Sequence, residues 1–318
     1  MSKTEPHAQF PMPDAPPTGL HRWASWLLGH RFVVQLASAL VANSYLLRAA
    51  KGFCYPVLNC WACPAANFAC PLGALQNAMA DAGLAAGGPG GWLRPILRSI
   101  PLFALGTLVL FASVLGRMMC GWLCPFGWLQ ELVGRLTPRK WRMPAVVTYL
   151  RYLVLAALVF LIPFVTGEPW FCKLCPQGAL EGGLPQPLIQ PSLRSMIHGW
   201  WWLKQALLAL TVLAMLAWRR PFCKAICPLG AIFSLFVRHS AWALRYDASR
   251  CVHCLWCVRH CPQGIDPRRE VGSHNCVGCL ECTQCPFGAI RSVPRWQPTT
   301  CCANPGQDGA PKSTDAAH

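Results

Sequence analysis

The sequence predicts an α-helical integral membrane protein of about four transmembrane helices in two parallel-repeat halves, followed by a C-terminal α+β module. Three observations carry that expectation. Hydrophobic residues make up 54% of the 318 and charged residues only 13%, with the apolar ones gathered in long runs, as in a chain that meets lipid. A Cys-Pro-x-Gly phrase recurs four times beside those runs. Beyond the last run, eight cysteines stand between Cys251 and Pro286.

The first element, residues 1–20, is polar and proline-rich without an apolar stretch. It reads as a disordered tail and not as a cleavable signal peptide. Residues 21–244 form the membrane part. Phe32 to Leu47, between Arg31 and Arg48, is a short first span carrying Gln35, Asn43 and Ser44. Ile100 to Gly116 is uncharged. Ala145 to Gly167 is long enough to cross, with Arg151 placed to snorkel from its first turns. Trp200 to Trp218 opens on three tryptophans and stops at Arg219-Arg220, an aromatic belt followed by a positive anchor.

Four spans put both termini on one side. The 117–144 connection carries Arg117, Arg135, Arg139, Lys140 and Arg142, and Arg219, Arg220 and Lys224 follow the last span. The 168–197 loop has only Lys173 and Arg194, and 49–99 has Lys51, Arg94 and Arg98 over greater length. The positive-inside rule then places the termini and the C-terminal module in the cytoplasm, at the inner membrane. The net charge of +16 is loop charge of this kind rather than a nucleic-acid footprint.

The repeated phrase reads Cys70-Pro71-Leu72-Gly73, Cys124-Pro125-Phe126-Gly127, Cys175-Pro176-Gln177-Gly178 and Cys227-Pro228-Leu229-Gly230. Proline suits the first helical position, a thiolate just ahead of it meets the positive end of the helix dipole, and glycine permits close approach. Each half is a span, an outer Cys-rich loop, a second span and an inner Cys-x3-Cys-Pro. Halves repeating in parallel are related by an axis along the membrane normal, which brings two cysteine pairs together at each face. The inner site would be Cys120, Cys124, Cys223 and Cys227. The outer site would be Cys60, Cys63, Cys172 and Cys175. Cys54 and Cys70 are left over, free to pair as a disulfide, and Cys70 is also able to displace one of the outer four.

In the module, residues 245–295, Cys251, Cys254, Cys257 and Cys261-Pro262 have the C-x2-C-x2-C-x3-C-P spacing of a 4Fe–4S ligand run. Cys276, Cys279, Cys282 and Cys285-Pro286 follow, one residue short before the last cysteine. Zinc takes two pairs and has no use for four cysteines in series before a proline. The runs resemble those of two-cluster bacterial ferredoxins. That resemblance implies one cluster on Cys251, Cys254, Cys257 and Cys285, and another on Cys276, Cys279, Cys282 and Cys261. The short spacer leaves ligation by Cys285 open. Two further clusters are expected in the membrane part. Residues 296–318 form a tail with the pair Cys301-Cys302, a soft-metal ligand or plain disordered chain. Arg268, Arg269, Arg291 and Arg295 offer a basic surface to an acidic partner or to anionic lipid.

Cys120-Gly121-Trp122-Leu123-Cys124-Pro125-Phe126-Gly127, its partner Cys223 to Gly230 and the C-terminal runs, taken in order, resemble the NapH/NosR-type membrane polyferredoxins. Those proteins serve periplasmic nitrate and nitrous oxide reductases, and the resemblance covers about residues 100–290. It implies a multi-pass inner-membrane carrier that takes electrons from quinol and passes them to a redox partner, as an electron carrier or quinol dehydrogenase component. The outer cysteines depart from the family pattern, and no flavin-attachment domain is evident. Cys261-Pro262-Gln263-Gly264-Ile265-Asp266 also looks like the membrane polyferredoxin that reduces copper for oxidase assembly, so a metal-handling assembly factor is the alternative. Clusters at both faces would leave about 30 Å of hydrocarbon to cross, unless they dip inward. His30 and His198 lie at opposite ends of different spans and do not pair across one haem. A quinone fits better, with Arg151, Gln35 and Asn43 as candidate lining.

Overall fold

The computed structural model describes residues 29–44, 53–60, 63, 66–86, 101–137, 141, 143–197 and 199–296. Both tails, Cys301-Cys302 and His198 lie outside the described residues. Nine helices of the membrane part matter below: α1 (Arg31–Ala42), α2 (Pro71–Ala86), α3 (Leu102–Leu115), α4 (Met118–Trp122), α5 (Pro125–Gly134), α6 (Ala145–Thr166), α7 (Gly199–Ala217), α8 (Pro221–Ala225) and α9 (Pro228–Phe236).

Two of them, α6 with 22 residues and α7 with 19, are long and apolar enough to cross a membrane. The apolar helices α1 and α3 are shorter, at 12 and 14 residues. Helix α6 widens into a π-turn over Leu155–Leu161. Pro163 has no N–H to offer the Val159 carbonyl, and the turn ahead of it absorbs the missing bond. Helix α2 crosses the end of α6 so closely that a Cβ on Gly83 would lie 1.8 Å from the Phe164 carbonyl oxygen. Small residues allow such approach where lipid gives helices no hydrophobic drive to associate. Helix α5 packs between α1 and α7, and α9 packs on α3 and α6.

The repeat is visible in three dimensions. Short helix α4, Cys124-Pro125 and helix α5 form one copy; α8, Cys227-Pro228 and α9 form the other. Proline begins α5, α8 and α9. Phe126 and Phe222 meet edge to face at 4.9 Å across the junction.

The module is built on an antiparallel pair, β1 (Trp242–Tyr246) and β2 (Ile290–Pro294), in register Trp242↔Pro294 to Tyr246↔Ile290. The cysteine runs and the short helices 256–260 and 267–270 lie between them. It rests directly on the membrane part. Arg31 Nε meets Glu281 Oε1 at 3.0 Å. Arg219 donates to the Cys261 carbonyl at 2.6 Å and the Arg259 carbonyl at 3.1 Å. Arg151 does not snorkel to water as its place in the sequence suggests. It is fully buried and donates to the His274 carbonyl at 3.1 Å and to Asn275 Oδ1 at 3.3 Å, because the module covers that end of α6.

Candidate cluster-binding sites

In the module, Cys261, Cys276, Cys279 and Cys282 line one small apolar cavity together with Leu244, Ile265 and Val277. The backbone curls around it in a specific way. Gly278 and Leu280, on either side of Cys279, are left-handed at φ +60° and +64°, and His253 and Leu255 repeat this around Cys254 at +55° and +59°. Gly278 has a second reason to be glycine, since its Cβ would fall 2.7 Å from Met118 Cγ. Cys257 sits with Cys285 and Cys251, and burial, with those two thiols adding to it, pushes its thiol up to about 11. Cys285 thus joins Cys251 and Cys257 despite the short spacer. Cys254 is exposed.

Cys120, Cys124, Cys223 and Cys227 converge on a second closed cavity, walled by Phe126, Phe222, Leu229 and Leu58. Cys120, Cys124 and Cys227 keep under a tenth of their surface exposed. N–H groups point at the sulfurs: Gln130 Nε2 to Cys223 at 3.0 Å and the Gly230 amide to Cys227 at 3.3 Å. Burial pushes Cys120 up to about 11 even with Arg117 and Arg220 pulling it down. Four crowded sulfurs in a closed apolar cavity, with Cys120, Cys124 and Cys227 held protonated by burial, suit a bound cation, which supplies the missing positive charge. The N–H donors suit cluster sulfur. The residues present therefore fit an iron–sulfur centre.

Two arginines here escaped the reading of the sequence. Arg117 stands three residues before Cys120 and Arg220 three before Cys223. Each crosses to the other half: Arg220 Nη1 donates to the Cys120 carbonyl at 3.2 Å and Arg117 Nη2 to the Cys223 carbonyl at 3.4 Å. Both are at most 2% exposed. They are not loop charges in water. The repeated Arg-x2-Cys-x3-Cys-Pro-x-Gly was the available signal. Glu131 takes ion pairs from Arg220 and Arg31. Burial alone would raise its carboxyl, but the Arg220 and Arg31 guanidiniums outweigh that and hold it below the ordinary range.

The remaining cysteines gather at the loop 53–70 and the start of 170–178. Cys172 lies within electrostatic reach of Cys70, Cys175 and Cys60, and Cys175 of Cys70 and Cys60. Gln76 Nε2 approaches Cys172 sulfur at 3.5 Å, and a Cβ on Gly178 would touch Cys60 sulfur at 3.4 Å. Cys70 thus stands with this group, and Cys54 adjoins Cys70. Cys63 lines a neighbouring cavity of about 400 Å³ with Asn43, Trp128, Gln177, Glu181 and Ile189. Cys54 and Cys70 are both unbridged, so the disulfide left open between them does not form.

The described residues of the 53–70 segment are largely buried. Val57 and Leu58 are buried in the same core that holds Cys70, Cys175, Cys120, Cys124 and Cys279. Leu58 walls the inner cavity, and Cys60 follows two residues later, at most about 7 Å along the chain. Cys60 thus stands far nearer the inner cavity than the roughly 30 Å expected for groups at opposite faces. On the other side, Arg220 faces Cys223, Cys279 and Cys124 together. A Cβ on Gly121 would lie 2.8 Å from the Val277 oxygen and 3.3 Å from Cys279 Cα.

Of the proposed quinone-lining residues, Gln35 donates its Nε2 to the Gly121 carbonyl at 2.8 Å and Arg151 donates Nη2 to the His274 carbonyl of the module at 3.1 Å, while Gln35 Oε1 and Arg151 Nε and Nη1 are buried with no hydrogen-bond partner among the described residues. Asn43 lines the 400 Å³ cavity, donating to Glu181 Oε1 at 2.9 Å. Glu181 also accepts from the Cys60 amide at 2.7 Å, and burial raises its carboxyl to about 7.

Comparison with known proteins follows the same lines. A family model described as "4Fe-4S binding domain" matches at 97–144, 149–184 and 199–245, and a second with that description at 244–265. An uncharacterized protein of Methanocaldococcus jannaschii is 30% identical over 56% of this chain and 72% of its own length. The putative electron transport protein YccM of Escherichia coli K12 is 26% identical over 61% of this chain and 56% of its length. The ferredoxin-type protein NapH of the same organism is 26% identical over 59% and 66%. No solved structure matches.

Proposed function

The chain belongs to the NapH/NosR-type membrane polyferredoxin family, and from that premise we propose that it relays electrons between the quinone pool and a redox partner through four 4Fe–4S clusters. The observation that carries this reading is the succession of thiol groups in and beside one continuous core. Cys60, Cys70, Cys172 and Cys175 would hold the first cluster, with Cys70 taking the place that the repeat assigned to Cys63. Cys120, Cys124, Cys223 and Cys227 would hold the second. Cys261, Cys276, Cys279 and Cys282 would hold the third, and Cys251, Cys254, Cys257 and Cys285 the last. When bound, such centres supply one-electron steps.

The protein's own residues set the conditions. Leu58, Val57 and Phe126 keep water from the path, and Gln130 and the Gly230 amide donate to sulfur. The cavity beside Cys63 suits a quinone in size and lining. Gln177 Oε1 and Trp128 Nε1 are both buried with no hydrogen-bond partner among the described residues, an acceptor for a quinol hydroxyl and a donor for a quinone carbonyl. In this reading α1, α3, α6 and α7 are the four spans of an inner-membrane protein, with the module in the cytoplasm as the basic loops suggest. Copper handling finds less support, since Cys70 and Cys175 are buried inside the bundle.

The test is iron and acid-labile sulfide per chain on anaerobically purified protein, with reduction by a soluble quinol followed by the visible absorption of the clusters. About sixteen irons and quinol-dependent bleaching are expected. About eight irons would confine the clusters to the module and sink the relay.

A further inference from the structure

Where the module meets the membrane part, a cleft of about 370 Å³ sets five arginines against two glutamates. Most of that charge is accounted for. Arg31 and Arg220 pair with Glu131, Arg31 also with Glu281, and Arg219 is spent on main-chain carbonyls of the module. Arg135, from the end of α5, and Arg259, from the module, remain exposed, with no carboxylate partner among the described residues. Arg135 lies 5.0 Å over the Phe32 ring, which holds its guanidinium at the cleft. The Arg220 Nε is buried and unpartnered on the same wall. Beside Arg135 the surface turns apolar: Leu132 is 38% and Leu136 76% exposed.

We propose that this cleft binds the headgroup of an anionic phospholipid, its phosphate bridging Arg135 of the membrane part and Arg259 of the module. A planar guanidinium pair matches phosphate oxygens, and basic pockets beside spans take anionic headgroups. The apolar shoulder of Leu132 and Leu136 favours a lipid over a free phosphate, because it gives acyl chains a place to lie. The bound lipid would fasten the seam on the side where Arg31–Glu281 is the one direct ion pair between the two parts among the described residues.

The test uses the full chain, purified in detergent with its iron content measured, titrated with short-chain phosphatidylglycerol, phosphatidylcholine of equal chain length and inorganic phosphate. Binding is read by native mass spectrometry. Phosphatidylglycerol is expected to bind roughly tenfold or more tightly than phosphatidylcholine. Arg135→Gln and Arg259→Gln should each weaken it about fivefold at unchanged iron content. Should Arg259→Gln lose iron, the exposed change Arg135→Gln decides. Equal binding of the two lipids, a preference undiminished by Arg135→Gln, or displacement of the lipid by an equal concentration of phosphate would each overturn the proposal.

Discussion

Glu131 is one carboxylate between two buried guanidiniums, and removing its charge leaves Arg220 uncompensated and Arg31 with Glu281 alone. Glu131→Gln should therefore destabilise the protein by about 3–5 kcal/mol, read as a lower unfolding midpoint. The pH dependence has a definite sign. A carboxyl held below its usual value contributes stability above the unfolded pKa, about 4.3 for Glu, and that contribution is lost as pH falls through the lower folded value. The wild type should lose stability in that acid window, and the Gln variant should lose less there. Gly121 gives a second residue-scale expectation. Gly121→Ala puts a methyl 2.8 Å from the Val277 oxygen and should cost about 1–3 kcal/mol of overpacking. Gly134→Ala, with nothing within 4 Å of its Cβ, serves as the silent control in the same melting experiment.

At the scale of elements, the 53–70 loop separates what the sequence discloses from what it hides. If Cys70 rather than Cys63 completes the outer group, Cys70→Ser should lower iron by about four per chain while Cys63→Ser keeps it. The reverse result would restore the pairing drawn from the repeat. Spacing alone could not choose, because Cys63-Pro64 and Cys70-Pro71 carry the same local signal, and only the packing of α2 on α6 brings Cys70 to Cys172. In the module, Cys261, Cys276, Cys279 and Cys282 line one cavity, a grouping the ferredoxin resemblance implied. Cys285 was left open by a missing spacer residue, and it lies beside Cys257. Arg117, Arg151 and Arg220 were misleading because positive residues beside apolar runs usually reach water, whereas here the module takes the place of water around Arg117 and Arg151, and Glu131 with the Cys120 carbonyl does so around Arg220.

Across the whole molecule, the inner and outer groups each draw cysteines from both halves, and Arg117 and Arg220 cross between them. This has a consequence for how the protein is made. The first half on the ribosome carries only half-sites: Cys120 and Cys124 wait for residues a hundred positions further on, and the Arg117 side chain waits for the Cys223 carbonyl. A chain stopped before residue 172 contains no complete quartet at all. On the proposed four-cluster reading, iron loading is then expected late, after both halves have closed on each other. A nascent chain stalled after the first half should accordingly purify without iron, and its thiols should remain open to alkylation until the second half arrives.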